Sequence, residues 1–266
     1  MASTSSCPLV AVDVGNSRIK LGDFEHPLAE PLPHPNRTLA LSHDWTDRDL
    51  AEFLPRDPAD YAWSIASVHR PAAARLAQWL EARNVSRVQL LTHKDLPISI
   101  TLTRPDRVGL DRLANAVAAN RLRAENQPAL VIDFGSAITV DLVSESGAFA
   151  GGAILAGIAM SARALHEFTD LLPLVEVTEP PAVLGTSTRA AMSSGLYWGA
   201  VGAVRELVAR MAGPIRPQVL LTGGGAPEFA TILGKDSDEP PQFVPHLTLA
   251  GIALAALGTL PTKGSR

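Results

Sequence analysis

The sequence predicts an α/β protein built from two similar halves, and three observations predict it. A short apolar run that ends in aspartate and meets a glycine two residues later occurs twice, at Asp13 and at Asp133. Each copy leads into a stretch in which polar and apolar residues alternate, the period of a half-buried strand. Segments with helical spacing lie between and after these strands, and 266 residues are enough for two cores. The match between the copies is local. The inside/outside parity of the following strand shifts by one, and the rest shows little identity.

Taken in order, residues 9–13 read as a buried strand, Gly15 and Asn16 as its turn, and 18–24 as a second strand. Residues 26–58 are rich in proline and weak in period, which predicts loops, an edge strand and one short helix. Residues 61–68 predict a buried strand, and 71–83 a helix opened by Pro71, where the missing N–H costs least. A strand at 88–92 follows. Leu110, Leu113, Ala114 and Val117 share one helix face within 109–123.

The pattern then restarts, with strands at 129–133, 138–142 and 149–155 and a helix over 158–172. A long helix is predicted at 187–211, a strand at 218–222 running into Gly223–Gly225, a short strand at 243–245 and a closing helix at 248–257. The economical arrangement is two halves facing each other across a cleft, residues 1–126 and 127–260, with a frayed tail at 261–266.

Composition narrows the function. Apolar residues make up 46% and charged residues 19%, so buried cores are expected and disorder is not. The net charge is -4, with lysine and arginine scattered, so no basic face for nucleic acid is expected. Cys7 is the only cysteine, which excludes an internal disulfide and a thiolate zinc site and suits a reducing cytoplasm. MASTSSC lacks the basic and apolar regions of a secretory signal, and no apolar stretch is long enough to span a bilayer. A cytoplasmic protein without nucleic-acid or membrane partners is expected.

A strand that ends in Asp before a glycine turn is suited to phosphates. Turn N–H groups point at phosphate oxygens, while the carboxylate, repelled by phosphate, holds Mg²⁺ or its waters. Either copy alone is a common turn; the repeat after two apolar strands points to a nucleotide cleft. Gly223–Gly225 bring bare backbone towards something flat, such as adenine or its ribose, or form a plain strand-to-helix loop. Asn16 and Ser17 are placed to donate to phosphate oxygens. Lys20 either adds charge there or is an ordinary exposed strand lysine. No Walker A, G-x-G-x-x-G, H-E-x-x-H or G-x-S-x-G motif occurs. His69, His93 and His166 have no partner at metal-ligand spacing and read as ordinary polar residues.

Five segments in this order carry a closer resemblance: DVGNSRIK (13–20), VGLDRLANA (108–116), DFGSAITVD (133–141), GGAILAG (151–157) and LTGGGA (221–226). The chain resembles the type III pantothenate kinases, also described as the Bvg accessory factor family, within the actin, hexokinase and acetate kinase superfamily. The resemblance implies two ribonuclease-H-like (actin-like ATPase) domains around a nucleotide cleft, a homodimer, and phosphorylation of pantothenate by ATP at the start of coenzyme A synthesis. It also implies Mg²⁺ and a monovalent cation such as K⁺ or NH4⁺.

By the same resemblance Asp111 is the general base and Arg112 binds the pantothenate carboxylate, with Gly109 and Leu110 beside them. Asp13 holds Mg²⁺ through water, and Asp133 the monovalent cation. Gly15, Asn16, Ser17, Lys20, Gly135, Ser136, Gly223 and Gly224 serve the nucleotide. Thr188 closes the substrate pocket from the partner subunit, or is simply a helix N-cap. Gly195 and Gly199 mark a dimer seam or internal packing. Three positions depart from the family pattern: Ser136 for a usual Thr, Ala156 for a common Pro, and Leu102 where many members carry a Tyr lining the pantothenate pocket. The alternatives are another small-molecule kinase of the superfamily and a non-catalytic nucleotide-binding regulator.

Overall fold

The computed structural model describes residues 7–25, 31–235 and 239–259. The chain divides into two compact units: one runs to Leu122 and resumes at His246, the other is Arg123–Pro245. The tail expected at 261–266 lies outside the described residues.

The first unit is a five-stranded sheet of β1 (Leu9–Val14), β2 (Ile19–Phe24), β3 (Arg37–Leu41), β4 (Ala62–Ser67) and β5 (Val88–Leu90), in the order β3-β2-β1-β4-β5. β1, β2 and β3 form an antiparallel meander, whereas β4 and β5 join in parallel. Every residue of β1 is buried, as a central strand covered on both faces requires. On one face Val10, Val12 and Val14 share a core with Leu50 of α1 (Asp47–Phe53) and with Leu76 and Trp79 of α2 (Arg70–Glu81).

The other face carries α3 (Leu110–Leu122) and α7 (Leu247–Thr259), which pack on each other and on β4; α7 also packs on β1. Their approach is close because a Cβ on Gly251 would collide with the Ala114 carbonyl. Beside it, buried Thr248 donates through Oγ1 to Asn115 Oδ1 at 2.8 Å, satisfying both polar groups.

The second unit repeats this plan. Its strands β6 (Ala129–Phe134), β7 (Ala137–Val143), β8 (Phe149–Ala156), β9 (Gln218–Thr222) and β10 (Gln242–Phe243) lie in the order β8-β7-β6-β9-β10. Read by position, that is the order of the first sheet. The helices are α4 (Ile158–Glu167), α5 (Thr188–Met211) and α6 (Ala226–Gly234). The core stacks Phe134 on Phe229 at 4.2 Å and Phe229 on Tyr197 at 5.0 Å between ring centroids. The parity shift seen in the sequence has a plain cause. Asp13 pairs with Lys20, whereas Asp133 pairs with Thr139, one residue nearer along the chain.

Four expectations differ from the structure. The closing helix, assigned by sequence to residues 127–260, packs in the first unit. It is apolar on every side, with Leu249, Ala250, Ile252 and Ala253 all buried, so it must be covered both by the sheet and by α3. The helix expected to reach residue 172 stops at Glu167; beyond it Phe168 and Leu171 are exposed and no apolar face continues. Helix α6 was not expected. The cap of α5 is Ser187, whose Oγ accepts from the Ala190 N–H at 3.2 Å, which leaves Thr188 as the first helical residue.

Asp23, in β2, is buried, and among the described residues its Oδ1 has no hydrogen-bond partner. Burial pushes its carboxyl above the ordinary 3.8, Glu25 adds to the rise, and Arg37 and Arg56 oppose it. The native state therefore keeps a proton that the unfolded chain has already released, so this group's contribution to stability declines as pH climbs from 3.8 through the raised native value. Thermal unfolding of Asp23→Asn beside wild type at about pH 4 and about pH 7 should show the variant gaining relative stability at the higher pH. An equal difference at both pH values would contradict the assignment.

Candidate active site

In the first unit the site starts where buried β1 ends. Asp13 is buried, and across the hairpin the Lys20 Nζ lies 3.5 Å from its Oδ2, so Lys20 is an ion-pair partner rather than a bystander. The Gly15 N–H donates to the Arg18 carbonyl at 3.0 Å, closing a turn whose tip, Asn16 and Ser17, is exposed. Two residues that the sequence did not flag adjoin this region. His43 Nε2 lies 3.0 Å from the Gly15 carbonyl oxygen. His246 is near enough to Lys20 for the ammonium, together with local loss of water as the larger cause, to lower its pKa.

The neighbouring parallel strand β4 brings in the second element. The Val68 N–H donates to the Val14 carbonyl at 3.0 Å, and Val68 Cγ1 is 3.5 Å from where a Cβ on Gly109 would lie. That same Cβ would strike Asp111 Oδ1. Glycine at 109 therefore lets the Asp111 carboxylate fold back over the start of α3. There Oδ1 accepts the Arg112 N–H at 2.9 Å, and the Gly109 carbonyl accepts from Leu113 at 3.3 Å. A carboxylate in a first helical turn is favoured by the helix dipole. Asp13, Gly15, Gly109, Leu110, Asp111 and Arg112 thus gather at the carboxyl edge of β1 and β4, where open α/β sheets bind ligands. Leu102 is half-buried in the segment leading to this element.

In the second unit three glycines converge on the turn after β6, Gly157, Gly223 and Gly225. Asp133 stands opposite Thr222 on β9, so the Asp-X-Gly turn and the Gly223–Gly225 run are neighbours. Gly223 has φ +93°, and a Cβ there would collide with Asp133 Oδ1 and the Phe134 carbonyl. The Gly225 N–H donates to the Phe134 carbonyl at 3.1 Å, and the Gly157 N–H to the Ser136 carbonyl at 3.0 Å. Gly224 has no such neighbour: nothing lies within 4 Å of a Cβ built on it, so its bare backbone answers no packing need inside the chain.

Beside this turn is a cavity of about 510 Å³, of the size that takes a small ligand. Its lining includes Phe134, Gly135, Gly225 and Phe229, with Arg163 of α4 as a cation that sequence reasoning missed. Among the described residues no group of three or more His, Cys, Asp or Glu side chains is placed to hold a metal. A cation here would instead share one carboxylate with hydroxyl, water and phosphate oxygens. Thr139 suits that role: its Oγ1 is buried without a hydrogen-bond partner, across the ladder from Asp133.

His69 and His166, read in the sequence as ordinary polar residues, make hydrogen-bond contacts with the backbone. His69 Nδ1 accepts the Ala72 N–H at 3.2 Å and caps α2, and His166 Nδ1 lies 2.8 Å from the Leu172 carbonyl oxygen. Thr188 is exposed at the start of α5. No described helix is long and apolar enough to cross a membrane.

The chain is similar to known proteins in both sequence and fold. A family model described as type III pantothenate kinase matches residues 9–210. A type III pantothenate kinase of Anaeromyxobacter sp. (strain Fw109-5) is 37% identical over 254 residues, spanning 92% of this chain and 97% of the relative. Among solved structures, a protein described as a Baf family transcriptional activator from Campylobacter jejuni superposes with TM-score 0.60 at 20% identity, covering 94% of this chain and 98% of that one. One described as a 2-dehydro-3-deoxygalactonokinase from Sinorhizobium meliloti gives TM-score 0.59 at 15% identity, covering 96% and 100%. The fold is that of the actin-like ATPases and sugar kinases.

Gly223 and Gly224 should behave differently. Gly223→Ala strains a left-handed backbone against two oxygens and should lower stability by about 1–3 kcal/mol, whereas Gly224→Ala should leave the thermal midpoint near that of wild type. Both should weaken ATP binding in a calorimetric titration. Native stability in Gly223→Ala would contradict the crowding described for this turn.

Proposed function

Because this chain belongs to the type III pantothenate kinase family, we propose that its ATP-dependent phosphorylation of pantothenate runs by direct transfer, with Asp111 receiving the proton of the substrate hydroxyl. The observation that supports this most is the Asp111 carboxylate, folded over Gly109 at the carboxyl edge of β1 and β4. The attacking pantothenate oxygen forms a bond to the γ-phosphorus as the bond to the β-γ bridging oxygen breaks. The products are 4'-phosphopantothenate and ADP, and the hydroxyl proton passes to Asp111.

A carboxylate suffices as proton acceptor, because phosphoryl transfer is largely dissociative and the proton leaves late. Holding the hydroxyl oxygen in line is then worth as much as removing its proton. Arg112 receives the pantothenate carboxylate, to which a guanidinium offers two parallel N–H bonds. Leu102, with Gly109 and Leu110, forms part of the pantothenate wall.

In the first unit Gly15, Asn16, Ser17 and Lys20 suit phosphate oxygens; in the second, Gly135 and Ser136 suit phosphate, and Gly223 and Gly224 suit the adenosine. Asp13 suits Mg²⁺ through water, being a buried carboxylate at the end of β1. Asp133 with Thr139 suits K⁺ or NH4⁺. Bound cations supply positive charge that offsets the phosphates. The setting for this reaction is the cytoplasm.

The working form is a homodimer. Phe168 and Leu171 are each 85% exposed, Leu184 is 81% exposed and Ile154 is 62% exposed, all in the second unit. Exposed apolar side chains joined into one patch would mark an interaction surface. Gly195 and Gly199 lie on an exposed face of α5 with nothing within 4 Å of a built Cβ, so their small size serves no contact inside the chain. In such a dimer Thr188 contributes to the partner's pantothenate pocket.

Two measurements test this reading. Asp111→Asn should lower pantothenate-dependent ADP release by about 10²-fold while ATP affinity stays within about twofold; retained turnover would remove Asp111 from the reaction. Phe168→Asp combined with Leu171→Asp should convert the dimer to a monomer in sedimentation and cut activity with it. Undiminished dimer would place the contact elsewhere.

A further inference from the structure

We propose that His43 is a positioning residue for the first phosphate turn and acts through the Gly15 carbonyl, a role that rests on the assignment of that turn to ATP. A carbonyl oxygen only accepts, so the 3.0 Å contact requires the hydrogen on His43 Nε2. The Gly15 N–H is already tied to the Arg18 carbonyl at 3.0 Å, and His43 therefore fixes the other polar group of the same residue. In a planar trans peptide the C=O and the next N–H point in opposite directions. Anchoring the Gly15 carbonyl thus aims the Asn16 N–H away from His43, at the exposed tip of the turn.

His43 is itself braced, which a merely decorative contact would not need. Arg75 of α2 donates to the His43 carbonyl and to the Trp45 carbonyl, each at 2.5 Å, with its guanidinium 4.5 Å from the Trp45 ring centroid. The His43 ring also leans on the His69 ring, with centroids 4.3 Å apart and planes at 34°. His69 is held in turn by its capping bond to the Ala72 N–H. A rigid path therefore runs from the start of α2 through His69 and His43 to Gly15. It ends at the carboxyl edge of β1 and β4, which also carries Asp13 and Asp111. A turn held in advance does not have to be ordered by the nucleotide.

The test uses His43→Phe, which keeps a flat ring against His69 but has no donor, and His43→Gln, which restores a side-chain N–H at similar reach. Affinity for MgATP is read by titration calorimetry, KM for ATP and for pantothenate by steady-state kinetics, and folding by the thermal midpoint. His43→Phe should bind MgATP about five- to tenfold more weakly and raise KM for ATP, with KM for pantothenate and the midpoint near wild type. His43→Gln should recover most of the ATP affinity.

Unchanged ATP affinity in His43→Phe would overturn the proposal. So would equal loss in both variants, since shape rather than the donor would then matter, or losses that follow a lowered midpoint. If wild type binds ATP but turns over no pantothenate, the substrate assignment fails while the calorimetric comparison still decides the role of His43. A wild type that binds no ATP removes both.

Discussion

The central strand of each sheet is buried on both faces, and that burial confines its ligand-facing polar groups to its carboxyl end. β1 has no exposed position, so its carboxylate arrives at the last residue but one, Asp13, where the chain is about to leave the core. β6 behaves alike, with Asp133 half-buried before the turn. A carboxylate at such a place needs a cationic or hydrogen-bonding partner. In the first unit Lys20 supplies one from the paired strand. In the second, Asp133 stands beside crowded glycine backbone and across the ladder from Thr139. The turn that follows must be tight, and its glycines let backbone N–H groups come close to a bound anion.

Positioning of Asp111 follows from packing well away from it. Helix α3 is set on β4 by α7, and the contact of Gly251 with the Ala114 carbonyl fixes how near the two helices come. Because the start of α3 lies against Val68, the first residue after β4, the Asp111 carboxylate is tied to the end of the same strand pair that presents Asp13. The placement of Asp111 is the outer edge of a core contact between small residues.

Much of this was legible in the sequence because the signals were local. Apolar runs ending in Asp-X-Gly gave both central strands, and a parity shift that looked like poor repetition is one residue fewer between paired positions. Asp111 and Gly109 were legible as a helix start. What escaped notice depended on distant partners. Helix α7 is apolar all round and gives no sign of which unit covers it. Helix α6 is short and follows three glycines, so it reads as loop. His43 lies in a proline-rich stretch without period, and only folding brings it to Gly15. Arg163 sits on an ordinary amphipathic helix until the cavity beside it is seen. Asn16 and Ser17 are exposed at the tip of their turn, and exposure by itself leaves no hydrophobic pattern in the sequence.

The central claim is that the chain transfers the γ-phosphoryl group of ATP to pantothenate. The most direct measurement follows radiolabel from [γ-³²P]ATP in the presence of Mg²⁺, K⁺ and pantothenate, with the products separated and identified by mass. The account predicts label in phosphopantothenate, formed in step with ADP and absent when pantothenate is left out. Label confined to ATP and inorganic phosphate, with pantothenate unchanged, would contradict it.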